Sequence, residues 1–371
     1  MKKRVLFLCF LIAFLSFFSL SSKAEGNDEN IDFGADSLKY SLDDSTRNYM
    51  EEFGIDIENG KLSFDMQPKD FFKHIFTFFK SGIKRPLKAL FLLLGIILAL
   101  SAASSFNKPD ASMAPAVFAG TLCIAAVSIK DVLSAAAAAN TAVKAITDFM
   151  FAFIPIFTSI VAVSGKTATS FASGALLLGA AQAVSAVCTF VTIPLMSGYT
   201  ALSVSSAVSP LTEKSALAKS VKNSALWIMS LASTVFLGIL GIQSALSSAA
   251  DTVGLKTTKF IVGTCVPVAG ATLAEAASAV AASVSVIRSS VGAYAVAALV
   301  IIALPVLSEI LMWRAVFLIT GVISELFSLS KTVSLLKAFD SAFSVISAML
   351  LITLCMFVIA LSIVIGAGKT V

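Results

Sequence analysis

From residue 87 onward the chain is a succession of apolar segments, at about 87–106, 114–129, 146–163, 172–195, 224–241, 260–282, 291–311, 315–329 and 342–365. About 20 apolar residues cross the hydrocarbon of a bilayer as an α-helix. The segments at 87–106, 172–195, 291–311 and 342–365 are long enough to do so unaided. Hydrocarbon offers no water to pair with backbone N–H and C=O groups, so each spanning segment must satisfy its own. The fold class that follows is all-α, a polytopic transmembrane helical bundle. The short segments 114–129 and 315–329 read as tilted, buried helices or as halves of re-entrant hairpins. The Ser/Ala/Val-rich stretch 195–209 reads as a broken or re-entrant element. Seven or eight true spans are expected.

Charge is scarce and unevenly spread. Charged residues make up 13% of the chain and hydrophobic ones 57%, against about a quarter charged in soluble domains. Twelve of the 22 acidic residues fall between Glu25 and Asp65. The chain therefore divides into a short acidic, water-facing segment and a long lipid-facing body, 86–371. Its net charge of +5 comes from basic residues scattered between apolar spans. These read as anchors at the bilayer interface, not as a nucleic-acid surface.

The first 24 residues have the form of a signal peptide: Lys2-Lys3-Arg4, an apolar run from Val5 to Leu20, then Ser22-Lys23-Ala24. Cleavage after Ala24 is expected, with an uncleaved anchor as the alternative. Residues 25–67 are too few and too polar to bury a core of their own. A helix is expected near Ser41–Phe53, with Leu42, Tyr49, Met50 and Phe53 on one face, and order there should depend on docking. Residues 68–85 follow as an interfacial amphipathic helix opened by Pro68, with Lys73, Lys80 and Lys84 opposite Phe72, Phe76 and Phe79. Export places this region outside. Lys80, Lys84, Arg85 and Lys88 at the outer end of the first span then run against the positive-inside rule.

The body echoes itself about 112 residues downstream. Pro155 answers Pro267, and Leu211-Thr212-Glu213 with Lys219 answers Ile323-Ser324-Glu325 with Lys331. Pro194 returns one residue out of register as Pro305. Repeat units of 145–256 and 257–368 are expected. Prolines interrupting corresponding segments point to a site between the halves, so Pro155, Pro194, Pro267 and Pro305 should converge near the membrane midplane.

Ionisable residues at depth cost at least about 3 kcal/mol each on insertion scales and need a partner or a polar cavity. Glu275, Arg288, Glu309 and Arg314 are the candidates. Glu275 lines a cavity or pairs with Arg288; Glu309 and Arg314 line a pathway or mark the interfacial end of a span beside Trp313. The five cysteines are dispersed through apolar runs, with neither a disulfide framework nor metal-ligand spacing. Gly165-Lys166-Thr167 lacks the upstream glycine of a phosphate loop. Neither a catalytic residue, a metal nor a cofactor is expected, and the chain reads as no enzyme. Runs such as Ser134–Ala139 and Ala276–Ser283 favour close helix packing, so a wide conduit would need several copies, as a homo-oligomer, or partner proteins.

The layout as a whole resembles the stage III sporulation protein AE family of endospore-forming bacteria. The blocks that carry the likeness are Lys256–Glu275 (KTTKFIVGTCVPVAGATLAE), Ser289–Tyr294 (SSVGAY) and Leu336–Leu350 (LKAFDSAFSVISAML). The resemblance implies a subunit made in the mother cell and placed in the membrane around the forespore. It implies partners too: the other stage III operon proteins and stage II sporulation protein Q, in a secretion-like channel supporting forespore development. A membrane scaffold with no pathway of its own is the alternative. The family has no catalytic residues to carry over.

Overall fold

The structure is a computed structural model and describes residues 35–58, 61–64, 82–106, 114–163, 165–208, 214–265 and 270–366. A 3₁₀ turn at Ala35–Ser41 leads into α1 (Asp44–Glu52), then the antiparallel strands β1 (Ile55–Glu58) and β2 (Lys61–Phe64). The body follows as α2 (Lys84–Phe106), α3 (Ala114–Val163), α4 (Thr167–Ala186), α5 (Ile193–Val208), α6 (Lys214–Cys265), α7 (Gly270–Leu326) and α8 (Ser330–Gly366). A π-helical stretch, Val187–Thr192, joins α4 to α5. The signal segment, the 68–81 part of the interfacial helix and Pro267 lie outside the described residues.

The body is the expected all-helical bundle, and the chain is a multi-pass membrane protein. Among the described residues six helices are long and apolar enough to cross a membrane. The count falls below seven or eight because neighbouring segments fuse. Segments 114–129 and 146–163 are one helix, α3, since Ser134–Ala139 between them is mostly alanine, the best helix former. Segments 291–311 and 315–329 are likewise one helix, α7, running through Trp313 and Arg314. The expected break at 195–209 is helical to Val208. Pro155 and Pro305 sit inside continuous helices, although each removes one backbone donor. The hydroxyls of Thr158 and Ser159 bond the Pro155 carbonyl, both at 3.0 Å, and Ser308 bonds that of Pro305 at 2.7 Å.

Packing follows from side chains three or four residues apart sharing a helix face. Phe149, Phe153 and Phe157 form a stacked ladder on α3, with ring centroids 6.1 and 5.1 Å apart. On the α7–α8 side, Trp313 and Phe317 mesh with Phe339 and Phe343 at 5.5–6.1 Å. Helix α8 is the most buried of the six and α6 the least. Helix α6 leaves Trp227, Leu231, Val235, Ile239, Ile242 and Leu246 exposed along one side. At Gly292 a Cβ would collide with the Ile365 side chain, so the absence of a side chain on α7 makes room there for α8's isoleucine.

Two turns show how the rods are reversed. After α3, Gly165 takes φ 82°, its N–H bonds Ala162 O at 3.0 Å and the Lys166 N–H bonds Val161 O at 3.4 Å. After α7, Ser328 takes φ 55°, with Ser328 N–H on Glu325 O at 3.0 Å and Leu329 N–H on Ser324 O at 3.1 Å. Both are Schellman endings, which need a left-handed residue. The glycine of Gly165-Lys166-Thr167 thus serves a helix end.

The acidic segment forms a small module seated on α3 and α7. Leu42, Met50 and Phe53 are buried as their shared face implies, joined by Leu38, Ile55 and Ile57 in one apolar core with the bundle. Asp43 caps α1, accepting from the Thr46 N–H at 3.3 Å. The hairpin β1–β2 is an addition to the sequence reading. Its signal was present: alternating Ile55-Asp56-Ile57-Glu58 and Lys61-Leu62-Ser63-Phe64 flank Asn59-Gly60, the pair most favoured in two-residue hairpin loops.

Candidate functional site

Polar groups within the bundle gather in two places. The first is a node on α8 at Ala338–Ser341. The Tyr199 hydroxyl of α5 donates to Ala338 O at 3.2 Å. Arg314 Nε of α7 donates to Asp340 Oδ1 at 3.0 Å, both side chains mostly buried. The Lys222 ammonium of α6 donates to Ser341 Oγ. One turn of α8 therefore ties three other helices. Asp340 has a low-cost reason to be there, since an opposite charge and hydrogen bond offset part of the desolvation of each ion.

Arg314 thus pairs with Asp340, not with its sequence neighbour Glu309. Glu309 is half-buried and lies within electrostatic range of Asp131 on α3, which also feels Arg85 of α2. The backbone of Glu309 stands beside Gly82, whose Cβ direction meets it at 3.8 Å. Helices α2, α3 and α7 therefore bring charged groups to one level.

The second cluster lies at the far end of the bundle. Asp251 of α6 is buried and accepts the backbone N–H groups of Ala168 and Thr169, each at 2.9 Å. These are orphan donors of the first turn of α4, where the helix dipole also favours a negative charge. Arg288 of α7 is buried, donates to Val364 O in the last turn of α8, and lies 5.8 Å over the Phe157 ring. A cation at a helix C-terminus complements that dipole, and the ring face adds attraction. Lys166 sits between them: burial pushes its ammonium down, Arg288 adds to that, and Asp251 opposes it.

Of the residues singled out from the sequence, Arg288, Glu309 and Arg314 all belong to these polar levels, but not to one cavity. Glu275 falls on α7 with its side chain outside the described residues. Pro155 is level with Arg288, because Phe157 packs beneath that guanidinium. Pro305 lies 17 residues further along α7, about 25 Å at 1.5 Å per residue. Pro194 sits between Thr189, bonded to Asn140 of α3, and Tyr199, bonded to α8. Pro155 and Pro305 therefore lie at different levels along the bundle. Asp251, Asp340, Lys222 and Tyr199 were missed, since their partners are 26 to 139 residues away in sequence.

A shallow groove between α6 and α8 is lined by Gly241, Ser244, Ala245, Ser248, Ala249, Thr252 and Ile363. Among the described residues no group of three or more His, Cys, Asp or Glu side chains is placed to hold a metal. The node and the end cluster are ties between helices, and their chemistry is cohesion.

The family model for stage III sporulation protein AE matches residues 48–368. Stage III sporulation protein AE of Bacillus subtilis (strain 168) is 25% identical over 231 residues, 62% of this chain and 58% of that protein. The chain thus aligns with little more than half the length of its curated relative. No solved structure matches. The chain belongs to the stage III sporulation protein AE family.

Proposed function

We propose that this family member is a wall subunit of a secretion-like channel complex between mother cell and forespore, supporting forespore development. It sits in the mother-cell membrane around the forespore and works with the other stage III operon proteins and stage II sporulation protein Q. It carries out no catalysis of its own. One observation supports a subunit over a self-contained pore: the buried charges Asp251, Arg288, Arg314 and Asp340 are each bound to another helix. A second reading, a scaffold without any pathway, draws on the same observation.

Genetics in a sporulating host tests the proposal. Deleting the chain should silence a late forespore reporter and release the operon partners from co-purification; a normal reporter in the deletion strain overturns the assignment. Glu275→Gln and Glu309→Gln then separate the two readings. If partners still co-purify and the reporter fails, the chain contributes to the pathway. Normal reporter activity in both variants favours the scaffold.

A further inference from the structure

One of the long helices is unsuited to lipid along its exposed side. A crossing takes about 20 residues with few or no charges. Helices α6, α7 and α8 each supply such a run, at 223–250, 289–308 and 341–366, and α4 with α5 is uncharged from 167 to 208. Helix α3 does not. Its uncharged runs are 114–129, 132–143 and 149–163, each shorter than a crossing of about 20 residues. Wherever hydrocarbon crosses α3, it meets Lys130 with Asp131 or Lys144 with Asp148.

Thr141, Lys144 and Asp148 are exposed, and their spacing puts them on one side of α3. Among the described residues neither Lys144 nor Asp148 is ion-paired, and unpaired charge is costly in hydrocarbon. The acidic module, seated on α3 and α7, brings more charge to nearby levels. Its Asp56 and Arg47 are in electrostatic range of Tyr294, six residues from Arg288 on α7. Its Lys39, paired to Glu51 at 3.2 Å and to Asp56 at 3.5 Å, is partly exposed, as are both partners.

Helix α6 is the converse. Helices α4 and α8 each pack on both α3 and α6 and separate the two. Between Lys222, tied to Ser341, and Asp251, tied to α4, α6 exposes Leu231, Val235, Ile239, Ile242 and Leu246 and carries no charge. The run 223–250 is about 42 Å long, the thickness of a bilayer with its headgroups. Asp251 accepts the first N–H groups of α4, and Ser170 in the same turn donates to Thr158 O at 2.7 Å. Asp251 and Thr158 are therefore level. Further along α4, Thr189 bonds Asn140 at 3.3 Å, so α3 follows the same stretch. Asp148 is ten residues from Thr158, about 15 Å inside the uncharged run of α6.

We propose that the protomer is two-sided at this depth. The exposed side of α6 faces lipid. The Thr141–Asp148 side of α3, together with the module seated on that helix, lines a water-filled space closed by further copies of this chain. A single copy cannot keep lipid off that side. Helix α2, which packs on α3 at Gly120, leaves Leu87, Phe91 and Leu98 exposed along one side, apolar surface for the neighbouring copy. A contact repeated from copy to copy closes into a ring. The inference rests on the wall-subunit reading and names the face that the wall turns inward.

Spin-label accessibility in the purified full chain tests this. The protein, with its native cysteines replaced by alanine, is reconstituted into phosphatidylcholine–phosphatidylglycerol vesicles. A nitroxide is attached in turn at Thr141→Cys and Asp148→Cys on α3 and at Val235→Cys and Ile239→Cys on α6, all exposed sites. Molecular oxygen concentrates among acyl chains, and the nickel complex of ethylenediamine diacetate stays in water. The ratio of nickel to oxygen collisions should be several-fold higher at the α3 sites than at the α6 sites. Oxygen preference on α3 would put that side in lipid, and shielding from both reagents would put it against dry protein. Either overturns the proposal, as does nickel preference on α6. Thr141→Cys keeps both charges, so its label decides the result if Asp148→Cys misfolds. Light scattering of the detergent-solubilised protein should give several copies per particle, and a monomer overturns the ring. A normal reporter in the deletion strain would end the wall-subunit reading and leave these accessibilities unmoved, so the two fail separately.

Discussion

Ser328 holds a left-handed conformation that costs a side-chain-bearing residue about 1 kcal/mol or more. At the equivalent turn after α3 the same ending carries Gly165. Ser328→Gly should therefore raise stability by about 1 kcal/mol, read as a higher detergent-solubilised melting temperature, while Ser328→Val should lower it. Arg314 and Asp340 form a second residue-scale test. Each is mostly buried and bound at 3.0 Å, and breaking one side of a buried pair costs about 3–5 kcal/mol. Asp340→Ala or Arg314→Ala should destabilise by that order, and the exchange Arg314→Asp with Asp340→Arg should recover much of the loss. A double exchange no better than the worse single variant would show that surroundings, and not the pair, set the energy. From sequence alone Arg314 was visible as a charge at depth, but not its partner. Hydropathy locates a charge, whereas its counterion is set by how two rods lie against each other.

Two helix ends in this bundle are closed by side chains from other elements. Asp251 satisfies two N–H groups at the start of α4 and Arg288 a carbonyl at the end of α8. Asp251→Ala leaves two buried donors unpaired, at about 1–3 kcal/mol each. Hydrogen exchange should quicken in the first turn of α4 well before the rest of the bundle is affected. Equal protection in variant and parent would place the stability of that end in its apolar contacts. Elements were legible where a physical period dominates: the spans by their apolar length, and α1 by Leu42, Met50 and Phe53 falling on one face. Their joins were less so. Lys130, Asp131 and Lys144 made the middle of α3 look like a boundary, yet alanine between them carries the helix through. Pro155 and Pro305 likewise promised breaks, but packing on both sides holds the rods continuous.

At the scale of the whole molecule, the buried charges Asp251, Arg288, Arg314 and Asp340 bind one helix to another. The module on α3 and α7 adds a constraint in time. Its residues, through Phe64, leave the ribosome early, but Tyr294 beneath them follows about 230 residues later. At roughly 5–20 residues per second, synthesis of that interval takes on the order of 10–50 s. For that period a segment too small to bury its own core waits with Leu38, Met50, Phe53 and Ile57 uncovered. Protease pulses during synthesis should therefore cut the N-terminal region of nascent chains arrested before α7 and spare it once α7 is complete. A chaperone for this segment, if the cell supplies one, has its task set by chain order: to shelter an early fragment until a late helix arrives.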